Sequence, residues 1–196
     1  MLDIQTFDAR AGGNVLYKAF AHPVAAEAVA RLAARLRAAG TLAVYDPDGV
    51  CGALLALHPA MPPADESYVH DVSHLGHTRA GAPARALLEL PQSRAATLLI
   101  AAFDAARVQA RIAHMIPPGM TVLTLDEVRL SDAMLSNPRR YLDRVNFATN
   151  YAFFRDTGDA GPAGHGNGLH TRLVTANYWA GYGAGPVRLW LRLFGG

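Results

Sequence analysis

The segment Asp46-Pro47-Asp48-Gly49-Val50-Cys51-Gly52 follows a short apolar run and leads into a helical pattern. Dinucleotide-binding chains place G-x-G-x-x-G at such a junction. Its glycines let the backbone turn tightly and bring N–H groups against a pyrophosphate at the helix N-terminus. Gly49 and Gly52 stand at the second and third glycine positions, and Pro47 replaces the first. The pattern also asks for an acid about twenty residues on, at the next strand end, to hold a ribose hydroxyl. Asp71 stands there. Two features oppose a phosphate: Asp46 and Asp48 put negative charge where it would lie. The plain alternative is an Asp-Pro-Asp-Gly turn with Asp48 as helix N-cap.

Three further groups have chemistry-bearing side chains. In His70-Asp71-Val72-Ser73-His74-Leu75-Gly76-His77, helical spacing would line up three imidazoles as a metal needs. Tyr68–Val72 reads as strand, however, and Gly76 disfavours a helix, so the histidines belong to a loop after a strand and no metal is expected. His74 then faces the carboxyl-end crevice where open α/β sheets bind ligands. Phe103-Asp104 ends the most apolar run at the same edge, where Asp104 either accepts a ligand hydroxyl or caps the following helix. In the tail, Asn146, Asn150, Arg155, His170, Arg172 and Asn177 lie among aromatics, as a sugar-stacking face or a solvated strand face would require. Cys51 reads as packed core. The expected ligand-binding set is Asp48, Gly49, Gly52, Asp71, Phe103 and Asp104, and acid–base chemistry by His74 with Asp71 or Asp104 is the enzymatic alternative.

The elements that must position these residues alternate. Leu2–Phe7 and Asn14–Phe20 read as a strand pair about a glycine turn. Pro23–Ala39 is the clearest helix, with Pro23 at its start, Gly40 past its end, and Ala25, Ala28, Val29, Leu32 and Leu36 on one face. Strands are expected at Thr41–Tyr45, Ser67–Val72, Thr97–Phe103 and Met120–Leu125. Helices are expected at Gly49–Leu57, Ala84–Leu90 and Ala105–Ile116. This alternation implies one parallel sheet with helices on its faces. After Asn137 aromatics become frequent, and Phe147–Arg155, Leu169–Asn177 and Val187–Phe194 read as antiparallel strands. The expected division is an α/β domain over 1–136 and an aromatic-rich β segment over 137–196.

The order of strand, glycine turn, helix and strand ending in Asp71 continues with Gly81-Ala82-Pro83-Ala84. It then runs through Leu99-Ile100-Ala101-Ala102-Phe103-Asp104-Ala105-Ala106-Arg107 to Pro118-Gly119 and a last strand. This stretch, Thr41–Leu130, resembles the Rossmann-like N-terminal domain of sugar acyltransferases and related polysaccharide-biosynthesis proteins. The resemblance implies a fold like that of NAD-binding domains and a nucleotide-sugar or other small ligand. No hexapeptide β-helix repeat follows, so acyltransferase activity is not implied.

Composition narrows the partners. The chain has 196 residues, 51% hydrophobic and 17% charged, with a formal charge of +2. These are the proportions of an ordinary globular protein. Lys18 is the only lysine, the arginines are scattered, and no basic stripe points to nucleic acid. A single cysteine excludes an internal disulfide, and no signal-like or membrane-spanning run is legible. The expectation is a cytoplasmic protein that binds a nucleotide, nucleotide-sugar or dinucleotide, NAD(P) among them, as part of bacterial glycan metabolism or as a non-catalytic module. Val187–Phe194 followed by Gly195-Gly196 reads as a strand and turn awaiting a partner, from a C-terminal continuation or a second copy.

Overall fold

The computed structural model describes residues 13–147 and the backbone of 151–156 and 169–174. Five parallel strands form the centre: β1 (Leu42–Tyr45), β2 (Glu66–Val69), β4 (Ala82–Ala86), β5 (Thr97–Ile100) and β6 (Thr121–Thr124). A two-residue strand, β3 (Thr78–Arg79), runs antiparallel along β4, giving the order β3-β4-β2-β1-β5-β6. The parallel pairing expected from the alternation is thus present. The order reverses at β1, which has β2 on one side and β5 on the other. Both central strands are buried along their whole length, as strands covered on both faces must be.

Alternation of side chains across β1 and β5 feeds two cores. Leu42, Val44 and Leu99 face α1 (Gly13–Ala21), α2 (Pro23–Ala38) and α3 (Cys51–Leu57), where they meet Phe20, Leu32, Leu36 and Leu54. Ala43, Tyr45, Leu98 and Ile100 face the other way, onto α4 (Ala106–Ile112) and the 3-10 turn at Leu87–Gln92. α2 begins and ends as its punctuation requires. Pro23 lies in the first turn, the His22 ring accepts from the Val24 N–H, and Gly40 follows the last turn at φ +84°.

Two expectations fail. Asn14–Phe20 is helix, not strand: Leu16, Ala19 and Phe20 bury one helical face by their three- and four-residue spacing. Leu2–Phe7 lies outside the described residues. Ala84–Leu90 is not a helix: Ala82–Ala86 is β4, and the chain then enters the 3-10 turn. Helix propensity in Ala-rich sequence loses here to pairing with β2, which supplies the backbone partners.

Beyond β6 the chain crosses back over the helical layer. Leu130, Leu135, Tyr141 and Phe147 pack on Ala19 and Ala25. Asn146 Nδ2 donates to the carbonyls of Asn137, Arg140 and Tyr141. The buried Lys18 ammonium donates to the Phe147 carbonyl at 3.0 Å. The tail contributes β7 (Tyr151–Asp156) and β8 (Leu169–Val174), which pair antiparallel. Val187–Phe194 and the tail candidates Asn150 and Asn177 lie outside the described residues. Among the described residues no helix is long and apolar enough to cross a membrane.

Candidate functional site

The candidate residues lie beyond the carboxyl ends of β1, β2 and β5. At the first turn Val50 takes the N-cap position of α3 without a side-chain cap, and it is Asp46, not Asp48, that bonds the backbone where the helix begins. Asp46 is 4% exposed, and its Oδ1 accepts from Val50 N–H at 2.8 Å while Oδ2 accepts from Cys51 N–H at 3.2 Å. Burial pushes its carboxyl up, against the two N–H bonds and nearby Arg79, which pull it down. Asp48 is exposed. The correction has a simple cause. Gly49 takes φ +71°, and this curl folds the helix start back onto the residue that leaves the strand. Gly52 answers no such need: it stands inside α3, and a Cβ added there would meet nothing within 4 Å.

Asp71 lies just past β2, not at its end. Its carboxylate accepts from the hydroxyl and N–H of Ser73, which hold the acid below its usual range. His74 closes the same 3-10 turn. Arg79 Nη2 approaches His74 Nδ1 at 3.0 Å, and a guanidinium only donates, so Nδ1 is the acceptor and the ring hydrogen sits on Nε2. Nε2 is 4.0 Å from Asp71 Oδ2. The basic lone pair of His74 is therefore already held by Arg79, which works against a general-base role. Arg79 Nη1 also lies 3.9 Å from where a Cβ on Gly49 would sit. Arg79 thus joins the turn after β1 to the turn after β2, although nothing in the sequence marked it.

Phe103 and Asp104 are placed differently from expectation. Phe103 is sandwiched between Phe20 and Tyr141, with ring centroids 5.4 and 4.4 Å away, and is a packing residue. Asp104 does not cap α4. α4 has no side-chain cap, and Asp126, in the 3-10 turn Leu125–Val128 after β6, accepts from the N–H groups just ahead of it, Asp104 at 2.7 Å and Ala105 at 2.9 Å. Asp104, at φ +53°, instead accepts from Arg129 and from Tyr141 N–H. The hollow of about 440 Å³ beside it is walled by Asp104, Asp126, Arg107, Arg129 and Arg139. There Arg129 pairs with Asp104, Asp126 and Asp132.

The apolar cleft is elsewhere. Val69, Val72, Leu75, Leu87, Leu88 and Met115, with His70, line about 230 Å³ beyond β2 and β4. Val72 and Leu88 are 77% and 80% exposed. The cleft therefore opens to solvent with large apolar side chains at its rim. His70 Nδ1 lies 3.3 Å from the Tyr45 hydroxyl, which links the cleft to the mouth between β1 and β5. Burial pushes the Tyr45 hydroxyl up, Arg111 pulls it down and Asp48 adds to the rise. The local signal for the cleft is the placing of Val72 and Leu75 among polar residues, but the partners from Leu87–Leu88 and Met115 need the topology.

Among the described residues no three His, Cys, Asp or Glu side chains converge as metal ligands. His70 and His74 point to separate partners, Tyr45 and Arg79. Cys51 is buried, and burial first, then Asp46, pushes its thiol well above the usual range, as expected of a core residue. Comparison of the chain with protein-family models, with curated proteins and with solved structures found no match.

Proposed function

We propose that the carboxyl edge of the sheet is a Rossmann-like binding site for a ligand built on a nucleoside, free or within a nucleotide, nucleotide-sugar or NAD(P). Counting the parallel strands along the chain, their order is third, second, first, fourth, fifth, which is the order of dinucleotide-binding sheets. The observation that carries the reading is the apolar cleft beyond β2 and β4, two of whose lining residues, His70 and Val72, adjoin Asp71 in the chain. A flat ring fits among Val72, Leu75, Leu88 and Met115, while the carboxylate one residue from Val72 accepts hydroxyls of a sugar attached to it. The resemblance to polysaccharide-biosynthesis domains makes bacterial glycan metabolism the setting we propose. We read the domain as a binding module, because Arg79 holds the one lone pair through which His74 would act as a base.

The test is calorimetry with nucleosides, nucleotides, nucleotide-sugars, NAD and NADP. Leu88→Glu should weaken binding at least about tenfold, equal to about 1.4 kcal/mol, and leave stability unchanged, since Leu88 is 80% exposed. Binding that survives both Leu88→Glu and Asp71→Ala would remove the cleft from the site.

A further inference from the structure

The nucleoside cleft makes no use of the hollow of about 440 Å³ beyond β5 and β6, and the two share no lining residue. Three guanidinium groups reach this hollow from separate parts of the chain. Arg107 comes from α4, Arg129 ends the 3-10 turn Leu125–Val128, and Arg139 belongs to the segment that crosses back over the helical layer. The two acids in its wall are committed. Asp104 accepts from Arg129 and from Tyr141 N–H, and Asp126 accepts from the N–H groups of Asp104 and Ala105. Arg129 is committed as well. It donates to Asp104 and, at 2.9 Å, to the Pro138 carbonyl, lies over the Tyr141 ring at 5.1 Å, and has Asp132 at 3.6 Å. Its bond to Pro138 ties down the backbone next to Arg139. Arg107 and Arg139 are exposed, and among the described residues neither has an acidic partner.

We infer that this hollow is a second site, which binds a small polar phosphate monoester by gripping its phosphate between Arg107 and Arg139. A phosphate monoester carries close to two negative charges near neutral pH and has three strong acceptor oxygens. Two uncommitted guanidinium forks match that charge and those oxygens, whereas a carboxylate brings one charge and two oxygens. The N–H groups ahead of α4 are taken by Asp126, so the grip comes from side chains alone. The volume falls within the range of small-molecule sites, about 300–1,000 Å³, and so leaves room for more than the phosphate itself. Ala106 is the one apolar residue in the lining, so the remainder of the ligand is polar. Nothing in this inference depends on the nucleoside reading.

The experiment is calorimetry on the full chain at low ionic strength, where exposed charges are least screened. The probes are glucose 6-phosphate, glycerol 3-phosphate, inorganic phosphate, glucuronate and glucose. The expected result is saturable binding of at least one ester and none of glucose. Arg107→Ala combined with Arg139→Ala should weaken that ester at least about tenfold, a difference of about 1.4 kcal/mol. Both side chains are exposed, so the double variant should keep its fold, which circular dichroism checks. Arg31→Ala combined with Arg94→Ala removes two other exposed arginines and should leave the affinity unchanged, as should Leu88→Glu in the apolar cleft. An equal loss in the Arg31 and Arg94 variant would reduce the effect to general surface charge and overturn the site. Glucuronate that binds as tightly as the esters overturns the choice of a dianion, and inorganic phosphate that does so overturns the ester. Failure of every anion overturns the inference and leaves the nucleoside cleft standing, and failure of nucleosides alone does the reverse.

Discussion

Asp46→Ala offers the sharpest test of the reading of the first turn. The wild-type carboxylate satisfies the N–H groups of Val50 and Cys51, and both residues are only 3% exposed. Alanine leaves two buried donors without a partner, each at a cost of about 1–3 kcal/mol. Against this, removal of the carboxylate relieves the burial that pushes its carboxyl up. Subtracting part of the gross loss leaves about 2–4 kcal/mol, above the usual cost of a lost helix cap. With a urea slope of about 2 kcal/mol per molar for a chain of this size, the midpoint should fall by about 1–2 M. Asparagine keeps one acceptor oxygen and should cost about half as much. The assay is urea unfolding followed by circular dichroism, with the slope fitted for each variant. A loss below about 0.5 kcal/mol for alanine, the range of an ordinary surface change, would refute the role given to Asp46. Equal losses for alanine and asparagine would also count against it.

Other expectations follow from buried or bridging groups. Tyr68 is pushed up to about 12 by burial and by its bond to Glu66, from an ordinary 10.0. Its raised value contributes stability that is full below pH 10.0 and is lost as the pH rises toward about 12, a component that Tyr68→Phe should abolish in alkaline unfolding curves. Cys51 should resist a thiol reagent in native buffer and react promptly in denaturant; rapid native labelling would contradict its burial. Arg129→Ala should cost about 2 kcal/mol by removing the charged bonds to Asp104 and the Pro138 carbonyl. It should also speed proteolysis within 130–147, and an unchanged cleavage rate would mean that Arg129 does not anchor this segment. Glu127→Gln, which removes the exposed pair with Arg35, should cost under about 1 kcal/mol in urea unfolding.

The parallel sheet was legible because its strands are locally self-declaring. Thr97–Ile100 is continuously apolar and ends up buried on both faces, and the alternation with helices leaves parallel pairing as the simplest solution. Elements with ambiguous local signals were not legible. The apolar run Val15–Phe20 is short enough to fit either period, and only burial of Leu16, Ala19 and Phe20 against the helical layer settles it. The candidate site was legible as positions and not as placements: the offset from the first turn singled out Asp71 at the end of a strand, and the structure ends β2 at Val69 and holds Asp71 in the turn beyond. It was misread wherever the deciding partner comes from far along the chain. Asp126 reaches back to the N–H groups of Asp104 and Ala105, and Tyr141 and Arg129 occupy the side chain of Asp104. Arg79 reaches the turn at Gly49 from far along the chain, through a two-residue edge strand that no periodicity announces.

These long-range partners share one consequence. The turns after β1 and β5 flank the point where the strand order reverses, and each has backbone donors met by a carboxylate of the chain itself. Asp46 meets Val50 and Cys51, and Asp126 meets Asp104 and Ala105. In a sheet that uses these turns for phosphate, the donors stand open and the ligand supplies the negative charge. Here the chain supplies it, at both turns. On that side Arg129 stands beside the carboxylate, 3.8 Å from Asp126, and also pairs with Asp104 and Asp132. What the edge offers beyond β2 and β4 is the apolar cleft at Val72 and Leu88 together with the acid at Asp71. Recognition by burial of an apolar ring, at about 25 cal/mol per Å², with hydroxyl contacts to set orientation, is the kind we propose for this edge.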